Sequence, residues 1–256
     1  MPSQAAAILI RCGPTDAPPH LPSEGLLQAL PDLPRWVEIR GMLLSGRGKA
    51  MGSSADAFVV SQPDVGLAGV VGKPDAEVIR QVCVGCREVL AVPEDAEVVG
   101  SALPDWTVEP ASLHVLSAGD RLPGVEPGLV RTIEPAEWAG LPGLPEDLRE
   151  ELLIEARAGT TIAAAFADGQ PVSFCYAGFE TELWWDISID TVDGYRRRGY
   201  AARCVTFQIA RFDKLGKCPV WGALASNNAS ARLASRLGFV KADELIVFQP
   251  PAVATE

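Results

Sequence analysis

The chain has 256 residues and carries 22 Lys and Arg against 33 Asp and Glu, a formal net charge of −11 at pH 7. Hydrophobic residues make up 48% and charged residues 21%, which excludes a mostly disordered chain. The acidic balance argues against a nucleic-acid backbone as partner, and no run approaches the ~18 apolar residues of a membrane span. A cytoplasmic protein with neither nucleic acid nor membrane as partner is expected.

The opening MPSQAAAILIRCG lacks a basic n-region, and its AAAILI reads as the start of a strand or helix. Residues 1–50 show little further pattern beyond two short helical candidates in LPSEGLLQALPDLPRWVEIRGMLL, broken by Pro31 and Pro34. From Ala57, AFVVSQ reads as a strand and VGLAGVVG as a second apolar stretch. PDAEVIRQVCVGC places Val78, Ile79, Val82, Cys83 and Cys86 at helical spacing. REVLAV predicts a strand, PEDAEVVGSAL a helix and SLHVLSA a strand. This alternation predicts a small mixed α/β domain over 1–120, and GDRLPGVEPG reads as the linker after it.

Further on, LVRTIEP predicts a strand and PEDLREELLIEARAG a helix, opened by Pro145-Glu146-Asp147 and closed at Gly159. TTIAAAFADGQPVSFCYAGFETELWWDISIDTV reads as an antiparallel meander turning at Asp168-Gly169. A helix from about Gly199 to Leu215 follows, with Val205, Ile209 and Phe212 on one face. CPVWGALA predicts a strand, NNASARLASRLGF a short helix and DELIVFQP a last strand. No internal repeat at a fixed period is visible.

The strongest signal for chemistry is the strand–turn–helix WWDISIDTVDGYRRRGYAARCVTFQIARF. A helix N-terminus exposes unpaired N–H groups and partial positive charge, which suits a phosphate or pyrophosphate. Gly199 and Ala201 let the backbone approach such an anion, and Arg196, Arg197 and Arg198 add charge. Taken alone, the pattern fits a solvated basic turn before a surface helix equally well.

Arg196-x-x-Gly199-x-Ala201 resembles the acyl-CoA-binding motif of the GNAT (GCN5-related N-acetyltransferase) superfamily. Asn227-x-x-Ser230-x-x-Leu233-Ala234-x-x-Leu237-Gly238-Phe239 resembles its second signature. The resemblance covers about residues 128–250 and looks most like the zwittermicin-resistance-like branch. It implies a mixed α/β (α+β) chain with the GNAT acyl-CoA N-acyltransferase fold over 128–250. The 1–120 region would pack on it and shape the acceptor side. It implies acetyl-CoA as acyl donor, with no metal. Ile189, Thr191 and Val192 would face the pantetheine and thioester. Arg196, Arg197, Arg198, Gly199, Tyr200, Ala201 and Ala202 would wrap the pyrophosphate. Asn227 would bond the pantetheine arm, although it also fits a plain helix N-cap. Ser230 would lie on the CoA side of the same helix.

Many relatives place a Tyr general acid where this chain has Ala234. Tyr200 in the turn or Tyr176 on the meander are candidates to replace it, and a thiol of pKa roughly 8.5 tolerates the lack of a specific acid. An amine must lose a proton before it attacks, so a carboxylate near the cofactor strand is needed. Trp184, Asp186, Ser188 and Asp190 share one face by alternation, which makes Asp186 the first choice of base and Asp190 the second. Trp184 and Trp185 read as core.

Cys83-Val-Gly-Cys86 has no second pair and no His at zinc spacing, so it reads as buried thiols. Gly48-Lys49 and Gly72-Lys73 lack the phosphate-loop glycine, with Leu43 and Leu67 in its place. His114 reads as a packed strand residue. The expected activity is direct transfer of an acetyl group to a small-molecule or peptide amine, with a non-enzymatic acyl-CoA sensor as the alternative. A homodimer is compatible with the sequence, which does not specify the assembly.

Overall fold

The computed structural model describes residues 20–116, 122, 124, 128–134, 137 and 144–251. The AAAILI segment, Cys12 and most of the expected linker lie outside the described residues.

The first half runs α1 (Ser23–Ala29), α2 (Val37–Leu44), β1 (Lys49–Ser54), β2 (Ala57–Gln62), β3 (Leu67–Val71), α3 (Ala76–Val82), β4 (Glu88–Ala91), α4 (Ala96–Ala102) and β5 (Thr107–Leu116). The second runs β6 (Val130–Thr132), α5 (Glu146–Arg157), β7 (Ala163–Ala167), β8 (Gln170–Glu180), β9 (Trp184–Thr191), α6 (Tyr200–Asp213), β10 (Cys218–Leu224), α7 (Asn228–Arg236) and β11 (Phe239–Gln249). Pro31 and Pro34 do separate two short helices. Asp168 and Gly169 take φ of 50° and 78°, the left-handed pair that a two-residue hairpin turn needs.

Two local expectations change. Strand β1 is absent from the sequence reading because KAMGSS has neither branched residues nor clean alternation; it forms by pairing with β2. Helix α3 stops at Val82, so Cys86 is not on it. Gly85, at φ +78°, turns the chain away, and both Cys83 and Cys86 are buried in the apolar cluster beneath α3 and α4.

Although the sequence has no fixed-period repeat, the same order of elements occurs twice. Strands β1–β2–β3 and β7–β8–β9 are antiparallel meanders. After each, a helix crosses over to a strand parallel to the meander's last: β4 beside β3, β10 beside β9. A helix and an antiparallel strand complete each half. The final strands are exchanged. β11 lies between β4 and β5, and β5 lies between β11 and β10, giving one eleven-stranded sheet in the order β1-β2-β3-β4-β11-β5-β10-β9-β8-β7-β6.

Helices cover both faces of this sheet. Helices α6 and α7 pack over Trp185, Ile187, Trp221 and Phe239, where Trp185 stacks on Phe212 of α6 at 4.4 Å. On the opposite face, α2 reaches across the halves. Its Val37 joins Leu90, Leu113, Val220 and Val247 in one cluster. A hypothetical Cβ on Gly41 would stand 2.8 Å from the Phe179 Cβ, so α2 is seated directly on β8. Two forked arginines fix it there: Arg35 bonds both oxygens of Asp243 at 2.8 Å, and Arg40 bonds those of Glu182 at 2.8 and 2.6 Å.

Candidate active site

Strands β9 and β10 pair only from Trp184 to Asp186 and from Cys218 to Val220. Beyond that point β9 continues to Thr191 against β8, while β10 continues to Leu224 against β5. The strands therefore part in a V with Asp186 and Val220 at its vertex. The facing edge of β9 lacks a strand partner from Ile187 onward, leaving backbone groups free for a ligand.

The V opens onto the turn before α6. Arg197 has φ +63° and Gly199 φ +85°, so the backbone coils through left-handed geometry into the helix. The N–H groups of Tyr200, Ala201 and Ala202 have no carbonyl four residues back within α6. A cavity of about 510 Å³ lies here, within the ~300–1,000 Å³ of small-molecule sites. Its far wall is α7. Arg196 pairs with exposed Asp193 at 3.0 Å, whereas Arg197, Arg232 and Arg236 have no ion pair among the described residues. An unpaired helix N-terminus, three free guanidinium groups and an open strand edge fit the phosphates and the extended amide arm of CoA.

The corresponding turn of the first half is closed. There β4 stays paired with β3 from Glu88 to Ala91, Gly72 N–H donates to Asp95 at 2.7 Å, and Pro74 has no N–H to offer. The chain's own Asp95 carboxylate occupies the place of an anion.

On the face of β9 away from α6, Asp186 is enclosed beneath α2. Burial raises its pKa to about 7. Glu38 of α2 is likewise raised, by burial and then by the charges of Asp186 and of Glu88 on β4. Asp190 is raised by burial and by Glu151, with Arg196 acting in the other direction.

Residues 159–248 match the family model described as GNAT acetyltransferase. Over those residues, which run from just before β7 into β11, the chain is similar to the GNAT superfamily. No curated protein matches the sequence. Among solved structures the fold is similar to a Novosphingobium aromaticivorans protein described as a GNAT-family acetyltransferase, at TM-score 0.56 and 16% identity over 85% of this chain and 97% of that one. It is similar to a Drosophila protein at TM-score 0.60 and 14% identity, over 93% of this chain and 100% of that one. It is also similar to a tandem GNAT protein from the clavulanic acid biosynthesis pathway, at TM-score 0.51 and 12% identity, over 82% of this chain and 80% of that one. These likenesses carry the fold alone.

Most residues expected to hold the cofactor meet at this cavity. Ile189, Thr191, Arg196, Arg197, Gly199 and Tyr200 line it, with Ala201, Ala202, Asn227 and Ser230. Two do not line it. Val192 packs with the cluster under α5, and Arg198 lies 5.5 Å from the centre of the Tyr195 ring. Asn227 serves both readings: its Oδ1 accepts from Ser230 N–H at 3.0 Å as the α7 cap, leaving Nδ2 for the cavity. Ser230 Oγ accepts from Trp221 Nε1 at 2.8 Å.

Among the catalytic candidates, Asp190 and Tyr200 line the cavity and Asp186 sits at the vertex beneath it. Tyr176 is not available as an acid. It is buried, it donates to Glu151, and its pKa is pushed far up by burial and by that carboxylate. Sequence reasoning missed Tyr195, Trp221, Ala229, Arg232, Leu233 and Arg236. The helical spacing of 229, 232, 233 and 236 could have revealed the last four. Nothing local could have revealed Glu38, because α2 comes from the other half of the chain.

Proposed function

We propose that the protein is an acetyl-CoA-dependent N-acetyltransferase that moves an acetyl group to a primary amine by direct transfer in a ternary complex in the cytoplasm. The observation that supports this best is the parting of β9 and β10 directly above Asp186, at the mouth of an arginine-lined cavity. The N–H groups at 200–202, with Arg196 and Arg197, would hold the pyrophosphate, and the open edge at Ile189–Thr191 the pantetheine. Acetyl-CoA, when bound, supplies the acetyl group: a C–N bond forms as a C–S bond breaks, and the sulfur leaves as thiolate. Asp186 takes one proton from the incoming ammonium, and a pKa near 7 suits that task at neutral pH. The second nitrogen proton ends on the sulfur, and the Tyr200 hydroxyl, from the cavity wall, would relay it. Asp190, at the cavity wall, would act on the turn only through its charge, since Arg196 pairs with Asp193.

A screen of primary amines with acetyl-CoA, monitored by thiol release, tests the reading. Amine-dependent thiol release with one N-acetyl product per thiol is the expected outcome. Tight acetyl-CoA binding with no release across the screen would instead support an acyl-CoA sensor. That second reading has one observation in its favour, the fully buried Ala234 at the position of the usual Tyr acid.

A further inference from the structure

On the side of β9 opposite the CoA cavity, a cleft of about 240 Å³ runs between α2 and β8. Leu44, Ala177 and Phe179 supply apolar wall, and Ser45 and Thr160 polar rim. Gly178 lines it where a side chain would otherwise stand. A Cβ there would lie 3.0 Å from Ser188 Oγ and 3.1 Å from Asp186 Oδ2. Asp186 lies directly behind Gly178 and does not itself line the cleft, so the missing side chain leaves only glycine backbone between the carboxylate and the cleft.

Glu38 lies one turn before Gly41 on the same face of α2. Its Oε2 is buried and has no hydrogen-bond partner. The nearby cations are already committed. Arg35, in the turn before α2, and Arg40, on it, hold Asp243 and Glu182, and Lys217 and Arg47 near the cleft hold Glu180 and Asp64. The remaining titratable neighbours are Glu88 on β4 and the buried Cys175 on β8, neither of which brings positive charge. Two enclosed carboxylates without a counter-cation are stable with a shared proton or with a bound cation.

We propose that this cleft is the acceptor site and that it takes a small, unbranched primary amine, whose ammonium group is received by Glu38 and Asp186 together. The inference rests on the acetyl-transfer reading above. An ammonium ion supplies both the missing positive charge and the proton that Asp186 must take. The cleft's volume is that of about eight waters at ~30 Å³ each, and below the ~300 Å³ at which drug-sized sites begin. It therefore suits a short alkylamine or an amino-acid-sized molecule. Glu38 is a residue of the first half acting at a site of the second, which gives the first half a chemical role.

The probe is propylamine, with tert-butylamine as the branched control. Its binding is followed by ligand-observed NMR without acetyl-CoA, and its acetylation by thiol release with it. Acetyl-CoA binding is read separately as a rise in Tm. Glu38→Gln is expected to weaken propylamine binding and kcat/KM about tenfold or more, with the Tm rise unchanged. Gly178→Val is expected to abolish propylamine binding, and Gly178→Ala, which crowds only movable side-chain ends, to weaken it. Wild-type protein should acetylate propylamine at least tenfold faster than tert-butylamine. The proposal is overturned if Glu38→Gln and Gly178→Ala bind and acetylate propylamine like wild type. It is also overturned if propylamine fails to bind a protein whose Tm acetyl-CoA still raises. No Tm rise in wild type would overturn the cofactor reading instead, and the NMR arm would still report on the cleft.

Discussion

Gly199 shows how one residue sets the site. Its φ of +85° costs an L-residue roughly 1–2 kcal/mol, although a Cβ would meet only the end of the Arg203 side chain, at an ordinary contact distance of 3.4 Å. Gly199→Ala is therefore expected to lower unfolding stability by about 1 kcal/mol and to weaken acetyl-CoA binding about tenfold, as denaturant melts and calorimetry would show. Asp186 makes a second prediction through pH. Its carboxyl titrates near pH 7 when folded and near ~3.9 when unfolded, so between those values the folded chain holds a proton the unfolded chain has lost. That contribution to stability is lost as pH rises from about 4 to 7. Asp186→Asn should accordingly raise Tm at pH 8 and leave it nearly unchanged at pH 4, while acetylation is lost at pH 8. A Tm gain that did not depend on pH would contradict the assignment. The glycine and the arginines of this turn were legible in the sequence because they are contiguous. The φ of +63° at Arg197 was not, since nothing in three successive arginines says which one turns left-handed.

At the scale of elements, α6 and α7 form the two walls of the cavity. The α7 face was half legible. Asn227 and Ser230 follow from their spacing, but Arg232 and Arg236 read as ordinary surface charges until α7 is placed against the parted strands. Each is expected to strengthen acetyl-CoA binding electrostatically. Arg232→Ala and Arg236→Ala should weaken it severalfold each, with a loss that shrinks as salt rises and screening shortens. Titrations at 20 mM and 500 mM salt would check this, and a loss independent of salt would contradict a phosphate-facing role. Arg203 and Arg211, which extend the basic run in the sequence, do other work. Arg203 reaches back to the Arg198 carbonyl at 3.4 Å, and Arg211 holds Thr161 at 3.0 Å. Helix α2 was legible as a helix and illegible as a neighbour. Its contacts with Glu182 and Asp243 span more than 140 residues, beyond any local pattern.

The whole molecule is organised by the exchange of β5 and β11. The sequence divides readily near residues 119–128, yet β11 pairs with β4 and β5, and β10 pairs with β5. Neither half completes its own sheet. The doubled order of elements escaped the sequence reading because strand pairing, not residue identity, is what repeats. A single cooperative unfolding transition is expected. Tryptophan fluorescence, drawn from Trp36 and Trp106 in the first half and Trp138, Trp184, Trp185 and Trp221 in the second, should coincide with far-UV circular dichroism. Two separated transitions would contradict the shared sheet. The net charge of −11 takes its proper meaning at this scale, as an acidic body around one cationic cavity. A crystal structure with acetyl-CoA bound tests the central claim most directly. The account predicts pyrophosphate density against the N–H groups of residues 199–202 and the thioester in the V above Asp186 and Val220. Density for the thioester anywhere else, or an empty V at saturating acetyl-CoA, would contradict it.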